Sequence, residues 1–159
     1  MKFKTGDQAP NFSLQSQDRE TVSLSDYKGK KNVVLYFYPK DMTPGCTTQA
    51  CDFRDHHASF EGMDAIVLGV SPDPQTKHQK FIAKHDLPFA LLVDEDHAVA
   101  EEYGVWKLKK TFGKEYMGIE RSTFAIDKEG RIAKEWRGVR VKGHVEETLK
   151  YVEENLTKF

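Results

Sequence analysis

The chain has 159 residues, of which 25 are acidic and 24 basic, so its formal net charge is −1. This length is typical of one domain, predicted here over 1–159, that buries a hydrophobic core without disulfide staples. The near-zero charge argues against a nucleic-acid-binding protein. No apolar run approaches the ~20 residues that span a bilayer, and no apolar stretch follows the first lysines, so neither membrane contact nor a secretory signal is expected.

The apolar segments alternate between strand-like and helix-like patterns. In chain order they predict a hairpin within 12–24, a strand over 32–38, a helix over 43–60, a strand over 65–70, a helix over 71–85, a strand over 90–93, a short helix over 96–103, a hairpin over 122–136 and a terminal helix over 145–156. The strands are runs of β-branched and aromatic residues, typical of strands buried on both faces. Strands alternating with helices predict an α/β fold, in which a central mixed sheet is flanked by helices on both faces.

The segment between the short helix and the last hairpin is rich in lysine and aromatic residues. Trp106, Phe112 and Tyr116 are predicted to be packing residues, and the basic cluster over 107–110 is predicted to face solvent. A mobile loop in this segment is expected to border the mouth of any site formed by the neighbouring elements.

Cysteine is scarce, since Cys46 and Cys51 are the only two in the chain. Two cysteines are too few for a secreted disulfide scaffold, so they indicate a reactive or incidental pair in a reducing compartment, which favours the cytoplasm. Thr43 suits a helix N-cap and Pro44 suits the first helical position, so Cys46 falls in the first turn. Unpartnered N–H groups and the positive end of the helix dipole favour a thiolate there, whereas Cys51 alone, in mid-helix, is more typical of an inert residue.

The spacing of the two cysteines restricts how they can react with each other. On a straight helix five residues rise ~7.5 Å and rotate ~500°, which leaves the Cα atoms ~8.6 Å apart and the side chains ~140° apart. A disulfide needs Cα atoms within about 7 Å, so a Cys46–Cys51 bond requires the helix to unwind locally. The predicted buried face of this helix comprises Ala50, Phe53, His57 and Phe60. Cys46 points toward the centre of that face and Cys51 toward its flank.

Two other kinds of cysteine site fit the sequence less well. A thioredoxin-type dithiol oxidoreductase uses C-x-x-C, but here four residues separate the cysteines. A zinc site from Cys46, Cys51, His56 and His57 is disfavoured, because adjacent histidines do not easily face one ion and no second cysteine pair exists. The six histidines show no metal-ligand spacing and are expected on the surface or in helix packing, so neither a metal nor a cofactor is predicted.

The residues around the first cysteine form a specific motif. Pro39, Thr43, Pro44, Gly45, Cys46 and Thr47 spell P-x-x-x-T-P-G-C-T, which resembles the active-site motif of the peroxiredoxins. Cys51, followed by Phe-Arg-Asp over 53–55, is similar to the peroxiredoxin Q, or bacterioferritin comigratory protein, branch of that family. Further segments that resemble this branch are 9–12, 94–95, 103–106 and 118–127. The resemblance spans nearly the full chain.

This resemblance implies a thioredoxin-like fold and a thiol-dependent peroxidase that reduces hydrogen peroxide and organic hydroperoxides. The family's peroxidatic cysteine matches Cys46, and its resolving cysteine matches Cys51, which forms an intramolecular disulfide that thioredoxin reduces. The family's supporting residues match Pro39, Thr43 and Arg121. Many relatives carry glutamate where this chain has Gln49, which leaves open how Arg121 is held. Because the resolving thiol is in the same chain, a monomer is expected to suffice.

Peroxide reduction gives these residues a physical role. Thiolate attack on an O–O bond moves negative charge from sulfur to oxygen, so a fixed cation and hydrogen-bond donors stabilise the reaction. Arg121 supplies a planar, permanently charged group, the hydroxyl of Thr43 can donate, and Pro39 is expected to fix the loop and shield the thiolate. The N–H groups of Gly45 and Cys46 supply further donors.

A redox-regulated binding or holdase module, which uses the cysteine pair to expose surface, is the alternative from a different class. A stoichiometric response to peroxide favours that alternative, whereas catalytic, peroxide-dependent oxidation of thioredoxin favours the enzyme. A general thiol–disulfide exchanger is disfavoured, because the chain lacks the C-x-x-C pair that such proteins use.

Overall fold

The computed structural model describes residues 3–157, and its elements follow the predicted order closely. The strands are β1 Ser13–Ser16, β2 Thr21–Ser23, β3 Asn32–Phe37, β4 Ala65–Ser71, β5 Ala90–Val93, β6 Trp106–Thr111, β7 Lys114–Ile119, β8 Ser122–Ile126 and β9 Ile132–Arg137. The helices are α1 Pro44–Asp55, α2 His57–Glu61, α3 Gln75–His85, α4 Ala98–Glu102 and α5 His144–Asn155, with a short 3₁₀ helix at Leu24–Tyr27. Over the described range, the helices are too short or too polar to cross a membrane.

Seven strands form one mixed sheet in the order β2-β1-β5-β4-β3-β8-β9. The central strands β3, β4 and β5 run parallel, whereas β8 and β9 join antiparallel on one side and β1 and β2 on the other. Strand β8 starts beside the end of β3, since Ser122 lies opposite Phe37. The residue before β8 is therefore brought to the carboxyl end of β3, where α1 begins.

Strand β3 divides the core between the two faces of the sheet, because successive side chains of a strand point to opposite faces. One buried cluster takes the alternate β3 residues Val33, Leu35 and Phe37 together with α4 and the 3₁₀ helix. The other takes Val34, Tyr36 and Tyr38 and is covered by α1, α2, α3 and α5. A central mixed sheet with helices on both faces is thus confirmed.

The helix predicted over 43–60 is interrupted at His56 and forms α1 and α2 instead. The His56 ring Nδ1 lies 2.9 Å from the Asp52 carbonyl, which the backbone N–H of His56 also approaches at a stretched 3.3 Å. His56 leaves the helical conformation, with φ −106° and ψ 7°. His57, which was predicted on the buried face, is only partly buried, and its Nε2 lies 3.0 Å from the Oε1 of Glu61.

Two proline residues delay the next helix. The prediction began it at residue 71, but Ser71 ends β4 and α3 starts at Gln75, after Pro72 and Pro74. A residue that precedes proline is disfavoured in the helical region, so Ser71 and Asp73 are poor positions for a helix to begin. The predictions of the terminal helix and of the hairpin over 122–136 are confirmed to within one residue at either end.

A second, two-stranded sheet occupies the segment where a mobile loop was predicted. Strands β6 and β7 pair antiparallel around a two-residue turn at Phe112 and Gly113. Phe112 is fully exposed and Tyr116 is half exposed, so their assignment to packing was wrong. Trp106 does pack, since it is half-buried against the His97 ring at a centroid distance of 3.9 Å.

Candidate active site

Cys46 lies at the start of α1, as the Thr-Pro pair predicted. Thr43 takes the N-cap position with extended backbone, and Pro44 is the first helical residue. The first intrahelical hydrogen bond runs from the N–H of Thr47 to the carbonyl of Thr43 at 2.8 Å. The N–H groups of Gly45 and Cys46 precede that bond and therefore remain available at the positive end of the helix. The Cys46 side chain itself is buried, with 1% of its surface exposed.

Arg121 is the cation that faces this sulfur. It immediately precedes β8, and its Nη2 donates a hydrogen bond to the Cys46 Sγ at 3.3 Å. Its Nη1 donates to the Oε1 of Gln49 at 2.6 Å, and Gln49 is completely buried. The guanidinium is thus fixed between two groups of α1, three residues apart. This answers how Arg121 is held where relatives carry glutamate: the neutral amide orients it without cancelling its charge.

Gly45 makes room for that contact. A Cβ atom at this position would lie 3.2 Å from the Nη2 of Arg121, closer than side chains normally approach. The absence of a side chain lets the guanidinium lie directly against the first turn of α1. The glycine of the motif therefore serves the geometry of the cation as well as the backbone.

The two remaining predicted residues shape the loop that leads into α1. Thr43 lies at the N-cap, but its hydroxyl donates to the carbonyl of Lys40 at 2.8 Å and makes no side-chain cap. Pro39 is half-buried and lies two residues beyond the last residue of β3, where it prevents the strand from continuing. Both residues stand within the loop before the cysteine, whereas the direct hydrogen bond to the sulfur comes from Arg121.

Cys51 lies in the second half of α1 and is partly exposed. Both cysteines are free thiols, and both belong to the same unbroken helix. Two thiols that are five residues apart on an intact helix are too far from each other to form a disulfide, so this arrangement is the reduced state. A disulfide between them requires the first turns of α1 to unwind. Cys46 packs in the core cluster beneath the helix, which couples that unwinding to the loss of buried contacts.

Buried aromatic groups surround the sulfur on the sheet side. Tyr36 stacks on Phe53 of α1 with ring centroids 4.7 Å apart, and on Tyr38 at 5.4 Å. Burial raises the pKa of both tyrosines well above the ordinary value, and for Tyr36 the nearby Cys46 adds to the effect. Both phenols therefore stay neutral beside the sulfur.

One polar cluster at the site was missed from the sequence. Asp41, inside the loop before α1, is buried and accepts a hydrogen bond from the Tyr38 hydroxyl at 2.6 Å. His78 of α3 lies 2.5 Å from the other Asp41 oxygen and was predicted only as a surface or packing histidine. No local signal joins residues 41 and 78, because the contact depends on how α3 crosses the sheet.

A second buried histidine lies near Arg121. The ring of His144, at the start of α5, lies 2.8 Å from the hydroxyl of Thr123. Burial, with a smaller effect of the Arg121 charge, lowers the pKa of His144 to about 4. His144 is therefore neutral at physiological pH and adds no charge beside the guanidinium. Among residues 3–157 no group of three or more acidic, histidine or cysteine side chains is arranged to hold a metal ion.

Comparisons with known proteins agree with this geometry. The AhpC/TSA family model matches residues 5–135. The chain is 66% identical to peroxiredoxin Bcp of Bacillus subtilis over 149 residues, or 94% of each chain, and 45% identical to peroxiredoxin Bcp of Escherichia coli K12 over 153 residues, 96% of this chain and 97% of the relative. A structure of Xanthomonas campestris peroxiredoxin Q superposes with a TM-score of 0.87 at 38% identity, covering 91% of each chain. The chain therefore belongs to the AhpC/TSA family, within its Bcp (peroxiredoxin Q) branch, and is a thiol-dependent peroxidase with a thioredoxin fold.

Proposed function

We propose that Cys46 is the thiol that peroxide oxidises and that Cys51 resolves the oxidised thiol within the same chain. The observation that carries this proposal is the 3.3 Å hydrogen bond from Arg121 Nη2 to the Cys46 Sγ at a helix N-terminus. A fixed cation and free N–H groups at one sulfur are what a thiolate nucleophile requires. Cys51 has no such partner among the described hydrogen bonds, which favours the division of roles.

The first step is a two-electron oxidation of the sulfur. The Cys46 thiolate attacks one oxygen of the hydroperoxide, and an S–O bond forms as the O–O bond breaks. The other oxygen leaves as hydroxide or alkoxide and takes up a proton to become water or an alcohol. Cys46 becomes a sulfenic acid. Negative charge moves from sulfur to the leaving oxygen, so Arg121 and the N–H groups of Gly45 and Cys46 favour both ends of the reaction.

The second step forms a disulfide. The Cys51 thiolate attacks the Cys46 sulfur, an S–S bond forms, and the sulfenic oxygen leaves as hydroxide and becomes water. Because α1 holds the two thiols apart, this step follows local unwinding of its first turns. Cys51 is already partly exposed, which favours movement of the Cys46 segment out of the core and toward it.

The remaining partners belong to the same proposal. A dithiol protein of the thioredoxin type reduces the Cys46–Cys51 disulfide by thiol–disulfide exchange and is itself oxidised. The chain acts as one domain and one monomer, because both thiols of the cycle lie on one helix. Two free cysteines suit a reducing compartment, so the cytoplasm is the proposed location.

One experiment tests the division of roles. The reduced protein receives one equivalent of hydrogen peroxide, and the products are separated on a non-reducing gel and weighed by mass spectrometry. We expect a monomer that has lost two hydrogens, with Cys46 joined to Cys51. Cys46→Ser should consume no peroxide, while the matched variant Cys51→Ser, in the same helix, should react once and need an external thiol for further turnover.

Two outcomes would contradict the proposal. Peroxide turnover retained by Cys46→Ser would assign the attack to another group. Covalent dimers as the main product of the unchanged chain would replace the intramolecular resolution by one between chains. Two parallel turnover assays, one with thioredoxin and one with dithiothreitol as the reductant, test which thiol reduces the disulfide. Turnover with dithiothreitol but not with thioredoxin would contradict only the proposed reductant and would leave the roles of the two cysteines unchanged.

A further inference from the structure

The loop between β3 and α1 contains a buried carboxylate that anchors it to the core. Asp41 is 4% exposed, whereas its neighbours in the sequence, Lys40 and Met42, point to solvent. Asp41 is therefore a single buried residue between two exposed ones. Met42 adopts the left-handed conformation, with φ +67°, which a residue with a side chain rarely takes unless its surroundings impose it.

Three hydrogen bonds fix this buried residue, and a fourth fixes its histidine partner. The Tyr38 hydroxyl donates to Oδ1 of Asp41 at 2.6 Å, and the Nδ1 of His78 lies 2.5 Å from Oδ2. The backbone N–H of Asp41 donates to a carboxylate oxygen of Asp73 at 2.7 Å. On the far side of the ring, the Nε2 of His78 donates to the carbonyl of Leu92 in β5 at 2.9 Å. The cluster joins the loop to α3 and to β5 at once.

The chemistry of each atom determines how the cluster is arranged. A carbonyl oxygen can only accept, so the Nε2 of His78 carries a hydrogen, and its Nδ1 faces the carboxylate with one shared proton between them. The side chains of Asp41 and His78 are both completely buried. Burying a carboxylate lowers the stability of the fold unless the carboxylate is paired. Removing either partner therefore leaves the other as an unpaired polar group in the core.

The position of this cluster matters because the first turn of α1 has few constraints of its own. The N–H groups of Gly45 and Cys46 make no intrahelical bonds, and the turn must also be able to unwind for disulfide formation. The hydroxyl of Thr43 donates to the Lys40 carbonyl, beside Asp41, so the N-cap follows the loop. The loop therefore sets where the sulfur lies relative to Arg121.

We propose that Asp41 and His78 are positioning residues for peroxide reduction. They act by fixing the loop over 38–43, so that the first turn of α1 holds Cys46 against the Arg121 guanidinium. Neither residue contacts the peroxide. The inference rests on the proposed role of Cys46 and deepens it, since it identifies what outside α1 determines the geometry of the attack.

The test separates positioning from simple support of the fold. The second-order rate of Cys46 oxidation by hydrogen peroxide is measured with dithiothreitol as reductant, so that docking of a protein reductant plays no part. Asp41→Ala and His78→Ala should each lose about tenfold or more at a temperature where both are fully folded, since misplaced reacting groups cost rate steeply. Asp41→Asn, which keeps an acceptor for Tyr38 and a partner for the ring, should retain most of the rate.

Val99→Ala is the matched control for lost stability. Val99 is buried on α4, in the core cluster on the opposite face of the sheet, so its truncation weakens the fold without touching the loop. If the alanine variants at 41 and 78 react as fast as this control at equal melting temperature, the positioning role is wrong. Should those variants not fold, Tyr38→Phe, which deletes one hydroxyl from the cluster, is expected to show a smaller rate loss with the fold intact, and an unchanged rate would overturn the proposal.

A double variant tests whether the two residues act as one unit. Asp41→Ala with His78→Ala should lose no more rate than the worse single variant, because either change breaks the same pair. Losses that multiply in the double variant would overturn the proposal. Cys46→Ser in the same assay distinguishes a failure of the proposed function from a failure of the positioning role. If this variant still turned over peroxide, the proposed function would be wrong whatever the rates of the Asp41 and His78 variants.

Discussion

The segment around Cys46 and the β6–β7 hairpin show opposite uses of side chains. Around Cys46 the guanidinium of Arg121 donates to the sulfur and to the buried Oε1 of Gln49, and the aromatic rings stack in the core. Among the described residues, four of the five large hydrophobic side chains that are exposed lie on the hairpin: Leu108, Phe112, Tyr116 and Met117. Rate is therefore expected to depend on small displacements in the first region and to be insensitive to change in the second, although the hairpin leads directly into Arg121.

The largest difference between the regions is expected for a lost positive charge. Arg121→Gln keeps hydrogen-bonding capacity but removes the charge that faces Cys46, so the rate of Cys46 oxidation should fall about 10²-fold or more. Lys107→Gln on β6 is the matched control, because it removes an exposed charge and should change the rate by less than about twofold. Single-turnover consumption of hydrogen peroxide measures both. Equal rates in the two variants would mean that the contact with the sulfur is incidental.

A pair of glycines tests the same comparison at the level of one methyl group. A Cβ at Gly45 would lie 3.2 Å from Nη2 of Arg121, and one at Gly118 of β7 would lie 3.3 Å from Cδ of Lys109. The crowding is similar, but the lysine side chain is flexible, while the guanidinium is fixed by two hydrogen bonds. Gly45→Ala should slow Cys46 oxidation about three- to tenfold without loss of stability, since alanine favours a helix by ~1 kcal/mol over glycine.

Gly118→Ala should leave the rate unchanged, because the lysine tip can move aside. Peroxide kinetics together with urea unfolding give rate and stability for both variants. If Gly45→Ala lost stability and rate together, the defect would lie in the helix and not in the placement of the guanidinium. If both variants were slow, the hairpin would be coupled to the site, and the comparison between the regions would be wrong.

The sequence predicted those features of the active site that depend on neighbouring residues, and it did not predict those that depend on contacts between distant segments. The Thr43–Pro44 pair fixes the start of α1 by its own conformational preferences, so the position of Cys46 could be predicted. The partners of Arg121 and Asp41 could not, since residues 41 and 78 meet only after strands and helices have packed. The hairpin was missed because most of its residues are exposed on both faces of the strands, so no period-two pattern marks a buried face.

Acid should weaken the fold through the active-site side of the sheet. His144 has a pKa lowered to about 4, below the ordinary value of 6.5, chiefly by burial. Between these values the unfolded chain binds a proton that the native state does not. The free energy of unfolding is therefore unaffected by this histidine above pH ~6.5 and decreases as the pH falls toward ~4. The loss is expected to reach about 1–3 kcal/mol, measured by urea unfolding from pH 7.5 to pH 4.

The pH dependence needs a matched histidine from the hairpin side. His144→Gln should flatten the fall in the free energy of unfolding, because the glutamine can still meet Thr123 but does not titrate. His97→Gln should keep the fall, since His97 is partly exposed beside Trp106 and its ring is not enclosed by the core. A slope that is the same in both variants and the unchanged chain would place the acid sensitivity elsewhere.

The smallest effect is expected at the tip of the hairpin, and it should have the opposite sign. Phe112 is 100% exposed and, like Gly113, has positive φ, here +51°. Asparagine followed by glycine is the preferred pair for such a two-residue turn, so Phe112→Asn should stabilise the hairpin by about 0.5 kcal/mol and leave peroxide kinetics unchanged. Slower hydrogen exchange of the β6 and β7 amides measures this directly, with Phe112→Val, whose branched side chain disfavours positive φ, as the destabilising counterpart. If removal of the ring cost stability instead, the ring would be held by packing, and the hairpin would have to be counted with the ordered region around Cys46.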